Sequence, residues 1–325
     1  MKEEKKLIIF RELDDVKIDE GTAVALGNFD GVHLGHQKLI KEAVKYAEKH
    51  GLKTLVFTFS NHPKNVLGKG TEVKCILCTN GKASLIESLG VDYLVDVPFT
   101  EEIMKTPAES FVKDLLVDKM NIKAAFCGFN YKFGFKAKGT PELLRSLGEE
   151  YGFTVKEMKA YKLEDNVVSS TLIRTLIASG RVDRCRTYMG RLYSITGEVV
   201  VGNRLGRKLG FPTSNLVIDP TMVTPPNGVY VTNCIYNGVS YASITNVGVK
   251  PTIGEYTKNV ETHIFDFNKE LYGKSITVEF IKKMRDEVKF DSVEDLSEQI
   301  VRDCREARKY HEQLAKKAAK QAKKD

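Results

Sequence analysis

The sequence predicts an α/β protein in which a doubly wound parallel-sheet domain precedes a small antiparallel β-barrel domain with a C-terminal helix. The 325 residues suggest two domains, at roughly 150 residues each. From residue 23 to about residue 161, strand-like and helix-like segments alternate, which is typical of a parallel sheet covered on both faces. After about residue 190, strand-like segments follow one another across turns, which is typical of antiparallel structure.

The N-terminal elements are predicted from the spacing of apolar residues. Short β-branched or apolar runs predict strands at residues 22–26, 52–59, 92–97, 124–129 and 153–158. Apolar residues at helical spacing predict helices at residues 36–50, 82–89, 107–120, 141–151 and 170–179. The strands are nearly continuous apolar runs, which indicates a sheet buried on both faces.

The C-terminal elements are predicted in the same way. Strands are expected at residues 193–201, 229–236, 240–246, 260–267 and 276–281, with turns at 227–228, 237–238 and 272–273. Their spacing suits a small barrel. A long helix is expected from residue 293 onward, and the two domains are expected to cover residues 1–185 and 186–325.

Composition excludes several classes of protein. With 42% apolar and 29% charged residues, the chain is neither disordered nor a small disulfide scaffold. The net charge is +7, but residues 315–325 hold five lysines and one aspartate, so most of it lies in a terminal run. A solvated helix end is favoured there over a nucleic-acid site, which is kept as a minor hypothesis.

Membrane insertion, secretion and metal binding by cysteine are not indicated. No apolar run approaches the ~18 residues of a membrane-spanning helix, and the first residues lack the apolar core of a secretory signal. Cys75 and Cys78 form a C-x-x-C pair, but no second pair completes the four ligands of a structural zinc site. We therefore expect a cytoplasmic protein with reduced cysteines.

The first chemical motif lies where the first predicted strand meets the first helix. It reads Gly27-Asn28-Phe29-Asp30-Gly31-Val32-His33-Leu34-Gly35-His36. Glycines let the backbone approach a phosphate, and a helix N-terminus offers unpaired N–H donors. Two histidines three residues apart add donors for a transferring phosphate. The spacing differs from the zinc pattern His-Glu-x-x-His, and the string is neither a Walker loop nor a dinucleotide motif.

Two further N-terminal segments bear on the same site. Serines open the last predicted helix in Ser169-Ser170-Thr171-Leu172-Ile173-Arg174, where hydroxyls and a guanidinium can bind phosphate or the serines can simply cap the helix. The segment 127–134 follows a predicted strand, and its aromatic residues can stack on a planar ligand or merely pack.

The C-terminal domain carries a different set of polar residues. A basic, glycine-rich loop at residues 202–210 can wrap phosphates through backbone N–H groups. It leads into Pro212-Thr213-Ser214-Asn215, where Thr213 and Asn215 offer hard oxygen ligands suited to Mg²⁺. Glu261 can accept the proton of an attacking hydroxyl, although in isolation it reads as an ordinary strand residue.

Together these segments resemble one family, the bifunctional prokaryotic riboflavin kinase/FMN adenylyltransferase, also called FAD synthetase. The resemblance runs from about residue 27 to residue 308, with the motifs in the family's order. It implies a nucleotidylyltransferase domain at 1–185, which joins FMN to AMP from ATP, and a riboflavin kinase domain at 186–325. It also implies Mg²⁺, ATP as co-substrate, and riboflavin, FMN and FAD as substrate or product. The partners are then small molecules, with no nucleic acid and no membrane, and self-association is left open.

The resemblance also implies roles for particular residues. The catalytic residues would be His33, His36, Arg174 and Glu261. The adenylyltransferase would bind ATP through Gly27, Asn28, Phe29, Asp30, Gly35, Asn130, Ser169, Ser170 and Thr171. The kinase would bind ATP through Gly202, Gly206, Arg207, Lys208 and Gly210. Flavin would contact His62, Phe129 and Arg285, and the metal would contact Thr213 and Asn215.

The chain departs from the family pattern markedly in two places, and mildly at Ser214, where the family's usual Pro-Thr-Ala-Asn has alanine. Where the family often reads Thr-Phe-Asp-Pro-His-Pro, this chain has Ser60 and Asn61 in place of the Asp-Pro pair. The common Gly-Asp-x-Arg-Gly loop is replaced by residues 202–206, with one acid lost. The first change leaves an alternative function, a single-activity riboflavin kinase with a weakened adenylyltransferase site.

Overall fold

The computed structural model describes residues 6–66, 68, 72–202, 206, 209–252 and 255–322, with the backbone alone at 250–252 and 255–257. The chain forms two compact units, residues 1–172 and 173–325. Each unit is described by itself. Within the described residues, no helix combines the length and the apolar character needed to cross a bilayer.

The first unit is built on a six-stranded sheet in which every neighbouring pair is parallel. Its strands are β1 Ile8–Phe10, β2 Thr22–Leu26, β3 Lys53–Phe59, β4 Tyr93–Val97, β5 Ile122–Gly128 and β6 Thr154–Met158. They lie in the order β1-β4-β3-β2-β5-β6. The order reverses at β2, which is flanked by β3 and β5. Sheets of this kind bind ligands beyond the carboxyl ends of the strands at such a reversal.

Helices cover both faces of this sheet. The helices of the first unit are α1 Leu34–His50, α2 Pro63–Val66, α3 Thr79–Glu87, α4 Glu101–Lys105, α5 Ala108–Ser110 and α6 Pro141–Tyr151. Helix α7, Ser170–Ala178, begins in the first unit, and most of its residues belong to the second. Alternate residues of β2 enter different cores, because Ala23 and Ala25 pack with α1 residues while Val24 and Leu26 pack on the other side. This confirms the predicted doubly wound domain.

The predicted helix at 107–120 is present, but most of it is not a regular α-helix. After α5, residues Phe111–Lys119 form a π-helix. The buried positions Phe111, Val112, Leu116 and Met120 recur four to five residues apart, which suits the wider turn.

The elements that sequence patterns missed are short. Besides β1, α2 and α4, the first unit has a hairpin of β7 Lys162–Leu163 and β8 Asn166–Val167. The second unit has helix α8, Val182–Met189, within the stretch that was read as the domain join. Apart from α8, which has eight residues, these elements are two to five residues long, which leaves the spacing of apolar residues little room to show a period.

The second unit contains a closed barrel in which every neighbouring pair of strands is antiparallel. Its strands are β9 Tyr193–Val200, β10 Ser214–Leu216, β11 Gly228–Tyr236, β12 Val239–Thr252, β13 Glu255–Ile264 and β14 Ser275–Arg285. The long helix α9, Val293–Gln321, begins at its N-cap Ser292 and buries Cys304 and Ala307 against Ile244 and Phe265. The predicted barrel and C-terminal helix are confirmed.

Four hydroxyl groups form a connected network between the strands of this barrel. Thr232 lies 2.8 Å from both Ser243 and Thr245, and Thr245 lies 2.9 Å from Thr262. All four residues are fully buried, and the Ser243 hydroxyl also bonds the Thr232 carbonyl at 3.0 Å, so the hydroxyls satisfy one another within the protein.

We expect Thr232→Val to lower the free energy of unfolding of the barrel by about 1–3 kcal/mol, because it removes, at unchanged volume, a buried hydroxyl that is hydrogen-bonded to Ser243 and Thr245. Chemical denaturation measures this. Thr196→Val is the matched control, since Thr196 bonds Thr277 at 2.8 Å on an exposed surface and its loss should cost under about 0.5 kcal/mol. Equal losses in the two variants would contradict the account.

Candidate active sites

The loop between β2 and α1 has an unusual backbone. Phe29, Gly31 and Val32 adopt positive φ angles of 44°, 76° and 34°. Such angles are costly for residues with a side chain, and they persist only where the surroundings hold them. Here Phe29 and Val32 are buried in the core beneath the loop. A Cβ atom at Gly31 would lie 2.9 Å from Ile76 Cδ1, so this position requires glycine.

The two predicted histidines lie together at the start of α1. His33 is its N-cap, and the Nδ1 atom of His33 accepts a hydrogen bond from the His36 N–H at 3.2 Å. The two rings are stacked, with centroids 3.5 Å apart. A Cβ atom at Gly35 would lie 3.3 Å from both the His33 ring and Tyr161 Cβ. The glycine between the histidines thus permits the close packing of the pair.

Burial governs the charge of His36. Burial lowers its pKa well below the ordinary value, and the neighbouring His33 lowers it further. Its Nδ1 atom is enclosed and has no hydrogen-bond partner within the described part of the chain. The imidazole is therefore neutral at neutral pH. An anionic phosphate beside the ring would act in the opposite direction and raise the pKa.

Hydrogen bonds attach three other segments to this loop. The Asp30 Oδ1 atom accepts from the N–H groups of Ile76 and Leu77, at 2.9 and 3.4 Å. The Ser170 hydroxyl donates to the Asp30 carbonyl at 2.9 Å, and the Thr58 hydroxyl donates to the Asn28 carbonyl at 2.8 Å. The Asp30 carboxylate thus holds backbone groups, and its predicted contact with ATP stays a prediction.

A small cleft lies beyond the carboxyl ends of β2 and β3. Its lining is Asn28, Asp30, Phe59, Ser60, Asn61, His62, Cys75, Leu77, Thr79 and Lys82. Sequence reasoning missed Lys82, which is buried, donates to the Phe59 carbonyl at 2.7 Å and lies 2.7 Å from Asp96 Oδ1. The other Asp96 oxygen pairs with Arg11. Lys82 precedes the buried Ala83 in α3. The spacing of apolar residues does not predict that a lysine is buried at this position.

Asn61 stands where the resembled family often has proline, and the structure shows what it does. Its Oδ1 accepts from the Phe99 N–H at 2.6 Å, and its Nδ2 donates to the Phe99 carbonyl at 3.1 Å. The side chain therefore ties the loop after β3 to the loop after β4. The backbone N–H of Ser60 donates to the Val97 carbonyl. This bond between the two loops does not need the aspartate side chain that the family often has at this position.

The remaining predicted residues of the first unit lie at its edges. Phe129 is 48% exposed and Asn130 is exposed, directly after β5, which borders β2. Ser169 accepts from the Leu172 N–H at 3.2 Å, as a helix cap does. Arg174 belongs to the second unit, and its predicted role with the histidines stays a prediction.

In the second unit, Asn215 and Glu261 face each other across neighbouring strands. They are direct partners in the register of β10 and β13. Asn215 is buried, and a Cβ atom at Gly202 would lie 2.5 Å from its Nδ2. Gly202 is therefore required for the close packing of Asn215. The side chain of Asn259 lies between the two residues, donating to Glu261 Oε1 at 2.6 Å.

The Pro-Thr-x-Asn segment is held by a histidine. His263 Nδ1 lies 2.8 Å from the Pro212 carbonyl, and the Phe211 ring packs edge-on against the imidazole. Burial lowers the pKa of His263, so the neutral ring anchors the segment by this hydrogen bond. The Phe211 N–H donates to the Gly206 carbonyl at 2.7 Å. Of the predicted phosphate loop, Arg207 and Lys208 lie outside the described residues.

A cavity of about 210 Å³ adjoins this segment. It is lined by Gly202, Pro212, Thr213, Ser214, Asn215, Ile264, Phe267, Asn268, Lys269, Glu270, Leu271 and Tyr272. The cavity brings the two predicted metal ligands together with Gly202. Glu261 is not part of the lining but lies opposite Asn215. The stretch 267–272 was missed, because the following Tyr-Gly pair was read only as a turn.

Arg285 has a structural contact. Its Nε lies 3.1 Å from both oxygens of Asp303, and its Nη2 donates to Oδ2 at 2.7 Å. Asp303 is buried on α9 and also accepts from Gln299. The guanidinium therefore ties the end of β14 to α9, and its predicted contact with flavin stays a prediction.

The loop before α1 in the first unit and the polar strand residues in the second offer hydrogen-bond donors and oxygen ligands of the kind found in transferases of phosphorus-containing groups. A family described as FAD synthetase matches residues 15–172, and a family described as riboflavin kinase matches residues 189–311. The chain belongs to the bifunctional riboflavin kinase/FMN adenylyltransferase family. It is an enzyme that phosphorylates riboflavin to FMN and adenylylates FMN to FAD, with ATP as co-substrate. The bifunctional prediction is confirmed, and the single-activity alternative is not supported.

Relatives cover nearly the whole chain. The bifunctional riboflavin kinase/FMN adenylyltransferase of Bacillus subtilis (strain 168) is 37% identical over 300 residues, which are 91% of this chain and 94% of the relative. That of Buchnera aphidicola subsp. Schizaphis graminum (strain Sg) is 36% identical over 299 residues, 90% of this chain and 95% of the relative.

A solved structure described as a macrolide-efflux protein from Streptococcus pneumoniae is similar along the whole length. It has a TM-score of 0.83 and 32% sequence identity, and the match covers 93% of this chain and 98% of the other. The word efflux describes that protein and is not applied to this chain. Both units of this chain match enzyme families.

We expect Gly31→Ala to lower the free energy of unfolding of the first unit by about 2–4 kcal/mol, because it adds backbone strain and a clash with Ile76. It should also abolish FAD formation from FMN while FMN formation continues. Gly51→Ala is the matched control: φ is +65° there but the space is open, so the cost should be about 1 kcal/mol with activity retained.

We expect the His36 imidazole to stay neutral at pH 6 and to protonate only at lower pH, as followed by NMR of labelled histidine. Since its folded pKa is lowered, the neutral form stabilises the fold, and this contribution is lost as pH falls from about 6.5 through the folded pKa. Adding MgATP should raise the pKa. Titration near 6.5 in the free enzyme would contradict the burial argument.

Proposed function

We propose that residues 1–185 carry FMN adenylylation and residues 186–325 carry riboflavin phosphorylation. The division is supported by the two family matches, each of which lies within one of these ranges. The barrel, α9 and the lysine-rich end then belong to the kinase half.

In the adenylyltransferase half, the stacked histidine pair carries the proposal. The FMN phosphate attacks the α-phosphate of ATP, and pyrophosphate leaves. Because His33 Nδ1 accepts a hydrogen bond from the backbone, the proton of the neutral ring lies on Nε2, where it can be donated to a phosphate oxygen. His36 and the N–H groups at the start of α1 add further stabilisation. The attacking phosphate is already anionic, so no general base is needed.

The other residues of this half bind and orient the substrates. The ATP site comprises Gly27, Asn28, Phe29, Asp30, Gly35, Asn130, Ser169, Ser170 and Thr171, with Arg174 on the transferred group. His62, which lines the cleft beyond β3, and the exposed ring of Phe129 contact the flavin. Positioning of this kind accounts for much of the rate of phosphoryl transfer.

In the kinase half, the opposition of Asn215 and Glu261 carries the proposal. Glu261 accepts the proton of the ribityl 5′-hydroxyl as that oxygen attacks the γ-phosphate of ATP, and ADP leaves. Gly202, Gly206, Arg207, Lys208 and Gly210 bind the ATP phosphates, and Arg285 contacts the flavin.

The donors beside the cavity fit Mg²⁺. Thr213 contributes a hydroxyl and Asn215 a carbonyl oxygen, and both line the cavity next to the phosphate loop. Magnesium takes few protein ligands and completes its shell with phosphate and water. When bound, the ion neutralises phosphate charge during transfer.

The cellular location of the enzyme and the kind of partner it binds are proposed on chemical grounds. No two cysteines form a disulfide within the described residues, and ATP is a substrate, which supports a cytoplasmic location with small molecules as the partners. The side chains of Lys316, Lys317 and Lys320 are exposed on α9, as expected of a solvated helix end. Self-association stays a prediction.

The assignment of one reaction to each half is tested by supplying riboflavin, ATP and Mg²⁺ to the enzyme. Riboflavin, FMN and FAD are then separated by chromatography. We expect Glu261→Ala to abolish FMN formation while FAD formation from added FMN survives. His36→Ala should do the reverse, since each change removes chemistry from one half. Each variant serves as the folding control of the other. If both folded variants lost both reactions, two independent sites would be the wrong description.

A further inference from the structure

A single amide side chain connects the two residues to which the kinase chemistry is assigned. Asn259 and Glu261 lie two residues apart on β13 and so on the same face of the strand. The Asn259 Nδ2 donates to Glu261 Oε1 at 2.6 Å and to Asn215 Oδ1 at 3.5 Å. The residues of the other face, Val260 and Thr262, are fully buried.

The chemistry of these groups determines which atoms face each other. An ionised carboxylate can only accept hydrogen bonds, so the amide nitrogen of Asn259 must face Glu261. The same nitrogen has a second proton, and the atom of Asn215 that faces it must then be the carbonyl oxygen. That oxygen is the one able to bind a magnesium ion.

The opposite strand leaves room for this arrangement. The residue paired with Asn259 on β12 is Gly248, which itself has no side chain. The nearest polar side-chain atoms there are Glu287 Oε1 and Asn246 Nδ2, which would lie 3.3 and 3.5 Å from a Cβ atom at Gly248. On the other side, Gly202 leaves room for Asn215. The amide of Asn259 is thus placed between two polar groups from neighbouring strands, and both of its protons have acceptors.

We propose that Asn259 is a positioning residue for riboflavin phosphorylation, acting by holding the Glu261 carboxylate and the Asn215 carbonyl in place. The proposal rests on the assignment of Glu261 as the proton acceptor. A glutamate side chain has several rotatable bonds, and proton transfer requires its oxygen within about 2.6–3.2 Å of the hydroxyl. Fixing one carboxylate oxygen leaves the other oriented before the substrate arrives.

A double-mutant cycle tests this role. Asn259→Leu removes the amide at similar volume, and we expect kcat for FMN formation to fall about 10- to 100-fold, with KM for riboflavin changed less than about twofold. Glu261→Gln should lower kcat by about 10²–10⁴. The double variant should match Glu261→Gln within about twofold, because Asn259 acts through Glu261. If Asn259 had only a structural role, the fold losses in kcat of the two single variants would multiply in the double variant.

A second asparagine–glutamate pair in the same barrel provides the matched control. Asn233 Nδ2 donates to Glu279 Oε2 at 3.2 Å, between the directly opposed residues of β11 and β14. Asn233→Leu removes an equivalent bond and should leave kcat for FMN formation unchanged. FAD formation from added FMN, catalysed by the other unit, checks that every variant is active elsewhere.

The outcomes separate two kinds of failure. If Glu261→Gln kept the parent kcat, the assignment of Glu261 itself would be wrong. If Glu261→Gln lost activity while Asn259→Leu did not, or if the losses multiplied in the double variant, Glu261 would stand and the role of Asn259 would be overturned. A rise in KM equal to the fall in kcat for Asn259→Leu would likewise overturn it.

Discussion

The hydrogen bonds of Asp30 hold together the loop that we propose for adenylyl transfer. Its carboxylate binds the backbone of residues 76 and 77, and its carbonyl binds Ser170, so one residue connects segments that are far apart in sequence. The loop around it is strained, with positive φ angles at Phe29 and Val32. Strain of this size persists only where other contacts over-determine the backbone. The histidine pair follows directly on this loop, and its placement therefore depends on Asp30.

The proposed kinase site is constructed in another way. Its polar residues project from regular strands, and their separation is set by the register of β10 against β13. A closed barrel fixes that register because every strand is paired on both sides. The inner hydroxyl network of Thr232, Ser243, Thr245 and Thr262 adds specific bonds between β11, β12 and β13. The two proposed sites thus differ in construction: one lies on a strained loop and the other on paired strands of a barrel.

Sequence patterns located most of the fold and the main site residues. Long periodic elements such as α1 and α6 were predicted within a few residues. The histidine pair and Asn215 could be proposed as site residues from sequence because motifs are local. The partners of these residues were not found. From the sequence, Lys82 is an ordinary lysine on a helix surface, and only the structure shows its ion pair with Asp96. The pairing of Arg285 with Asp303 likewise joins residues 18 apart in sequence. Hydrogen-bond partners distant in sequence leave no periodic trace.

The sequence by itself determined the two domain classes, the order of their elements and the residue types available for phosphate chemistry. These depend on local spacing, since apolar periodicity and short motifs are read over a few residues. The tertiary structure alone decided which atoms those residues meet. It placed Asn259 between Glu261 and Asn215, and it gave Asn61 the backbone of Phe99. The reason is physical: buried polar groups must find partners, and only the folded chain determines which groups are within reach.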